Sequence, residues 1–406
     1  MGEPTISRDE ILSARQAGAA YVKHTPVTES ATLTAMCGGN VVVKAESLQR
    51  TGSFKIRGAM NKLSTLRNDP ASDLTKGVVA GSAGNHAQAL AFAAQVNGVP
   101  CEIFVPAGAS LSKIAACRSY GATISEGGDS LDNAVARAQE RAADTGMNFC
   151  HPYDDPAVVA GQATLGLELL EDIADLRCVI IPLGGGGLAG GTAIALKQHD
   201  PSITVIGVQV EACAPYAHVP APEGPVVTLA DGIAVKRPGV ITRPIIEKWL
   251  DDVVVVSEDD VADAMVLLME RGKLLVEGAG AVGASALMRG VVKPSALGTT
   301  CVVLSGGNVD LGLVPGLVRR HETKAGRRLL LFVRISDRPG GLAQLLTLLA
   351  STGANLIEVE HVREGVDLHV RETGVQIVLE TRGADHADSV IEVVRTAGYD
   401  VDELSH

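Results

Sequence analysis

An α/β body built on mostly parallel sheets, followed by a smaller ferredoxin-like unit, is the fold class that this 406-residue sequence predicts. Three observations carry that reading. Short β-branched runs alternate with helical stretches from about residue 40, glycine-rich segments fall just where strands end, and the last eighty or so residues change to a β-α-β-β-α rhythm. Taken in order, Val41–Val43, Val78–Ala80, Cys101–Val105, Cys178–Pro182, Ile203–Val210, Val253–Val256 and Cys301–Leu304 read as strands. Their apolar character is continuous rather than alternating, as in strands covered on both faces. Between them lie helix-like segments such as Gln88–Val96, Leu188–Lys197 and Asp259–Arg271. Ligands of such folds bind at the carboxyl ends of the strands.

From Pro315 to Arg328 basic residues crowd around Gly316 and Gly326, which reads as an exposed connector. Beyond it, Leu329–Ile335 reads as a strand and Pro339–Ser351 as a helix with Leu342, Leu345, Leu346 and Leu349 on one side. Asn355–Val362 and Gly374–Glu380 follow as strands. His386–Ala397 is a helix turning Val390, Val393 and Val394 inward, with a last strand at Tyr399–Val401. That order is βαββαβ.

Composition narrows the function. A net charge of −12 argues against a nucleic-acid groove or an anionic membrane surface. The 45 glycines and 3 % aromatic residues suit many tight strand-to-helix turns. The seven cysteines form no CxxC pair and several sit in apolar runs, so buried reduced thiols in a cytoplasmic protein are expected, and no metal site. Met1–Arg8 is polar and does not read as a signal peptide, and no apolar run reaches membrane-spanning length.

Four segments carry the chemistry. In Ser53-Phe54-Lys55-Ile56-Arg57-Gly58 a lysine follows an aromatic ring, and burial there would lower its basicity and free the amine to attack a carbonyl. Ser82-Ala83-Gly84-Asn85-His86 follows a strand and opens a helix, where backbone N–H groups suit a carboxylate. Gly184-Gly185-Gly186-Gly187-Leu188 lets successive amides curl around one anion, a phosphate being the natural guest. No Gly-Lys-Ser/Thr follows, so it is no P-loop. Ser305-Gly306-Gly307-Asn308 again stands at a strand end, and its hydroxyl suits a ring nitrogen as a neutral partner.

Together with Lys44-Ala45-Glu46, Gly161-Gln162-Ala163-Thr164 and Asp231-Gly232-Ile233, these segments resemble the fold-type II pyridoxal-phosphate enzymes, in the threonine/serine dehydratase branch, over roughly residues 10–315. The resemblance implies a tryptophan synthase β-like body of two open, twisted parallel-sheet subdomains over 1–318, a linker over 319–328, and a regulatory unit over 329–406 similar to an ACT domain. It implies that Lys55 forms the Schiff base with pyridoxal 5'-phosphate and that Phe54 packs beside it. Asn85 would hold the 3′ oxygen, Gly184, Gly185, Gly186, Gly187 and Leu188 the phosphate, and Ser305 the pyridine nitrogen, with Gly232 and Glu277 lining the ring. Ser82, Ala83, Gly84, Asn85 and His86 would embrace the substrate carboxylate. Asp337, Gly340, Gly341, Leu342 and Asn355 would take an effector amino acid such as isoleucine or valine. A homodimer or homotetramer is implied as well.

The implied reaction is β-elimination of L-threonine to 2-oxobutanoate and ammonia, or of L-serine to pyruvate, as a regulated step of isoleucine synthesis. Lysine would act as the base, and the cofactor phosphate would protonate the leaving hydroxide. A neutral Ser305 at the ring nitrogen favours prompt elimination over transamination. Serine racemase shares all four motifs, but the family places a proton-donating serine where this chain has Ala83, and its cation site is incomplete here, with Glu211 present and Ala217 at the later aspartate position. A non-catalytic amino-acid sensor and a dinucleotide-dependent oxidoreductase are the readings from other classes. The intact Lys55 and tetraglycine oppose the first.

Overall fold

The computed structural model describes residues 6–404 apart from 83, 218, 219, 221 and 365. It divides into two units, Met1–Asp310 and Leu311–His406. In the first, a six-stranded sheet runs in the order Val27–Glu29, Val41–Ala45, Thr299–Leu304, Leu176–Pro182, Thr204–Val210, Asp252–Val256, parallel except at the first pair. Every residue of Val41–Ala45 and of Thr299–Leu304 is buried, as their unbroken apolar runs require. A four-stranded parallel sheet runs Thr123–Glu126, Cys101–Val105, Val78–Gly81, Asn148–Phe149. The strands Val27–Glu29, Thr123–Glu126 and Asn148–Phe149 were not expected from the sequence. They are two to four residues long and contain no buried residue, so no apolar run announces them.

Strand order brings the motifs together. Val41–Ala45, Thr299–Leu304 and Leu176–Pro182 are neighbours in one sheet, although they are far apart in sequence. Their carboxyl ends lead into the Lys55 segment, Ser305 and the tetraglycine respectively. Asn85 begins the helix Asn85–Asn97, which follows Val78–Gly81 of the other sheet.

The second unit has the expected βαββαβ order: Arg328–Ser336, Gly341–Ser351, Asn355–Val362, Glu372–Glu380, Ala384–Thr396 and Asp400–Glu403. The antiparallel sheet runs Asn355–Val362, Glu372–Glu380, Arg328–Ser336, Asp400–Glu403. Leu345 and Leu349 pack with Val390 and Val394 into its core, whereas Val393 is only half-buried. The stretch read as a connector over 319–328 is instead mostly helix, Val314–Lys324, and the division falls before it, after Asp310, rather than at 318. Pro315 lies in the first turn, where a missing N–H costs nothing, so it does not break this helix.

One buried ionic network fixes the helix that carries Lys55. That helix, Lys55–Asn68, opens without a side-chain cap. Arg57, in its first turn and 2 % exposed, donates Nε and Nη2 to Glu46 (2.8 and 2.8 Å). It also donates Nη1 and Nη2 to Glu168 (2.7 and 2.9 Å), and Nη1 to the Thr164 hydroxyl (3.2 Å). All five donors of the guanidinium are thereby used. Burial works against its charge, but Glu46 and Glu168 outweigh burial and hold its pKa above the ordinary value. The fully buried Lys44 reaches Glu168 (2.7 Å) and Asp172 (3.0 Å). Gly161 permits the close approach this needs, because a Cβ there would stand 2.6 Å from the Arg57 carbonyl oxygen. Removing one partner from a buried pair leaves uncompensated charge, at a cost of about 3–5 kcal/mol. Thermal and urea melts should therefore show Arg57→Leu destabilised by that order. Arg57→Lys, with three donors for five, should fall between it and the parent. Parent-like melting of Arg57→Leu would show that the network does not hold this helix.

Candidate active site

Lys55 is the first residue of its helix, and its Nζ donates to the Pro152 carbonyl at 2.8 Å. The ammonium lies 5.2 Å from the centre of the Phe54 ring. The side chain keeps some exposure, but its amine is enclosed by protein, and burial lowers its pKa to about 8 against the opposing pull of Glu277. The turn before it is stitched to the Ser305 loop. Phe54 N–H donates to the Ser305 carbonyl (3.1 Å), Gly307 N–H donates to Gly52 (2.8 Å), and Ser53 bridges Gly306. The lysine and the buried Ser305 are thus set side by side by backbone bonds.

Asn85 donates Nδ2 to Glu277 Oε1 (2.6 Å) and accepts from Asn308 Nδ2 (2.7 Å), which also reaches the Thr51 carbonyl (2.8 Å). Glu277 precedes the helix Gly278–Met288, and its N–H donates to Gly306 (3.0 Å). Burial raises the Glu277 carboxyl to about 7, Asp231 adds to the shift, and Lys113, Asn85 and Lys55 oppose it. Gly232, in the turn Asp231–Ile233, lies beside it, since a Cβ there would sit 3.8 Å from Glu277 Oε1.

The tetraglycine forms a walled cradle. A Cβ on Gly184 would meet the Ile233 backbone at 2.8 Å, and one on Gly185 would run into the Tyr153 ring. Gly186 adopts φ +91°, with Tyr216 and Thr242 crowding it. Gly187 and Leu188 open the helix Gly187–His199, whose first amides have no partner within the helix. Thr242 Oγ1 donates to the Gly185 carbonyl (2.6 Å).

Ser82 and His86 are buried. Ser82 Oγ accepts from Gly84 N–H (3.3 Å), and His86 Nε2 lies 3.0 Å from the Cys150 carbonyl. Burial, with Lys55 nearby, lowers the His86 pKa to about 3, so its ring is neutral. Ala83, expected to contact substrate, lies outside the described residues. The segment His151-Pro152-Tyr153-Asp154 was missed from sequence. Pro152 accepts from Lys55, Tyr153 walls Gly185, and Asp154 accepts from the N–H groups of Val240 (2.9 Å), Ile241 (2.8 Å) and Thr242 (3.0 Å). The sequence signal there, an acid just before Pro156, belongs to the neighbouring Asp155, which caps the helix Pro156–Asp172, and not to Asp154.

In the second unit Asp337 is held by Arg363 through two bonds (2.7 and 3.0 Å). Gly340, at φ +93°, precedes the helix that Gly341 and Leu342 begin. Asn355 bonds Glu380 (3.0 Å). Strand register puts Asn355 at one end of this sheet and Asp337 past the other, so within one chain they do not meet.

Residues 19–306 match the family model described as pyridoxal-phosphate dependent enzyme. The chain is 44 % identical over 389 residues to an L-threonine ammonia-lyase of Geobacter sulfurreducens, covering 94 % of this chain and 96 % of that one. A solved T.th. threonine deaminase is similar at TM-score 0.69 and 37 % identity, over 75 % of this chain and 99 % of that one. A maize serine racemase is similar at TM-score 0.71 and 34 % identity, over 78 % and 98 %.

The Glu277 shift has a consequence for stability. Its pKa rises from 4.5 unfolded to about 7 folded, so the unfolded state loses its proton first as pH rises. Stability from this carboxyl is fully present below about pH 4.5 and is lost by about pH 7, a change of about 3 kcal/mol. Denaturation across pH 4.5–7.5 should show that loss in the parent and a flatter profile in Glu277→Gln. Identical slopes would refute the assignment.

Proposed function

The chain belongs to the pyridoxal-phosphate dependent enzymes, and from that premise we propose that it is a threonine ammonia-lyase, converting L-threonine to 2-oxobutanoate and ammonia and L-serine to pyruvate. The observation that carries the proposal is Lys55, an enclosed amine of lowered basicity held beside Ser305, in a chain akin to a threonine ammonia-lyase over nearly its whole length.

The residues fit pyridoxal phosphate. The glycine cradle has room only where side chains are absent, its amides sit at a helix N-terminus, and the lysine is the kind that bonds a carbonyl. When bound, the group supplies a carbonyl that captures amines and a ring that spreads the charge left at Cα. Gly184 to Leu188 would hold its phosphate through backbone N–H groups and the helix dipole. Asn85, with one Nδ2 hydrogen on Glu277, keeps the other for the 3′ oxygen. Ser305 offers a neutral partner to the ring nitrogen. Lys55, with a pKa of about 8, has an appreciable free-base fraction near neutral pH and takes the Cα proton as general base. Because His86 is neutral, the substrate carboxylate is held by backbone amides at the start of Asn85–Asn97 and not by an imidazolium. Position 83 holds an alanine, whose methyl side chain has no proton to donate, and this favours elimination over racemisation.

The βαββαβ unit serves, in this reading, as an ACT domain that senses an amino acid such as isoleucine or valine. Asp337 would recognise its amine, with Gly340, Gly341 and Leu342 beside it and Asn355 contributed from a second copy in a homodimer or homotetramer. In this reading the enzyme would serve isoleucine synthesis in the cytoplasm.

Ammonia and 2-oxoacid release from threonine and from serine, with and without isoleucine, tests the proposal on protein loaded with pyridoxal phosphate. Threonine should turn over faster than serine, and isoleucine should alter the rate. Lys55→Ala should lose the near-visible absorbance of the bound cofactor and at least about 10²–10⁴-fold in rate. Turnover of neither amino acid by the loaded parent would overturn the reading.

A further inference from the structure

The polar groups around Glu277 extend outward to a pair that the chemistry above does not use. Lys113 Nζ lies 3.0 Å from Asp231 Oδ2. Lys113 belongs to the helix Leu111–Ser119, which flanks the four-stranded sheet and buries only Cys117. Asp231 opens the turn Asp231–Ile233, on the side of the six-stranded sheet. That turn touches both halves of the cofactor site: Ile233 walls Gly184, and Gly232 stands beside Glu277. Behind it the chain is anchored, with Thr228 and Leu229 bound to Glu258. The outer end of the turn is tied by Lys113.

We infer that Lys113 is a positioning residue: by pairing with Asp231 it holds the Asp231–Ile233 turn against the glycine cradle and Glu277, and so keeps the cofactor in place. The inference rests on the proposed pyridoxal-phosphate site, not on which amino acid is consumed. A bare surface ion pair would contribute little, and Asp231 is indeed 61 % exposed. The Lys113 side chain, however, is only 14 % exposed, and its helix is anchored independently of the pair by Cys117 and Ile114, which pack into the core beside the four-stranded sheet. The expected effect is accordingly on cofactor retention rather than on overall stability.

The pair also sets the field at Glu277. The charged and polar groups facing that carboxyl are Asp231, Lys113, Asn85 and Lys55. Lys113 favours its ionised form and Asp231 its neutral form. The two substitutions therefore push Glu277 in opposite directions, which general loosening cannot do.

The test measures release of pyridoxal phosphate from the holoenzyme by fluorescence, as a function of pH, with no turnover involved. Lys113→Met and Asp231→Asn should each release cofactor about three- to fivefold faster than the parent, the upper part of the range for an exposed pair, as the enclosed Lys113 side chain requires. The exchanged variant Lys113→Asp/Asp231→Lys should return to within about twofold of the parent. The pH midpoint of release, identified as that of Glu277 by its loss in Glu277→Gln, should move up in Lys113→Met and down in Asp231→Asn. Parent-like release from both single variants, or midpoints that move the same way in both, would overturn the inference. If threonine proves not to be the substrate, these readouts stand unaffected, so the two failures are distinguishable.

Discussion

Everything at this site is measured from Arg57. Its guanidinium is buried with two carboxylates and a hydroxyl filling all its donors, and it sits in the first turn of the helix whose first residue is Lys55. A lysine side chain is long and flexible, and its placement depends on a backbone that cannot drift. Glu46 extends from the end of Val41–Ala45 and Glu168 from the helix Pro156–Asp172, so the same five bonds align strand, helix and lysine. Isolated charges could not be buried there, and a full complement of partners makes the burial tolerable.

From that fixed point the site is assembled by topology. Parallel strands release their chain ends on one edge of the sheet, and the order of the six-stranded sheet makes neighbours of the loops bearing Lys55, Ser305 and the tetraglycine. Asn85 comes from the other sheet and is joined to this group by Glu277 and Asn308. Lys55, Ser305, the tetraglycine and Asn85 thus lie between two sheets, each with its own apolar core.

The strands buried on both faces were legible because aliphatic runs such as Val41–Val43 and Cys301–Leu304 have no other comfortable place. The same logic failed for Thr123–Glu126 and Asn148–Phe149, where partially exposed backbone pairing needs no apolar signature. The basic stretch after Pro315 was read as a connector because charge hid an amphipathic helix that buries only Leu317. Motif residues Lys55, Ser305 and the glycines were readable as a set. The Pro152 carbonyl was not, since a backbone acceptor leaves no mark in sequence. Neither was the separation of Asp337 from Asn355, which depends on strand register.

Lys55 and Glu277 tune each other's charge through burial. A fully ionised Glu277 would pull Lys55 toward its protonated, unreactive form, because its charge raises the lysine pKa. Burial instead brings the carboxyl to about 7, so its charge is incomplete near neutral pH, while burial of the amine brings the lysine to about 8. Each group would be badly placed for its task if the other were in water. The carboxyl can then accept from Asn85 without holding Lys55 in its charged state. In the proposed mechanism, the desolvation that costs stability at Glu277 is the condition under which Lys55 would act as a base.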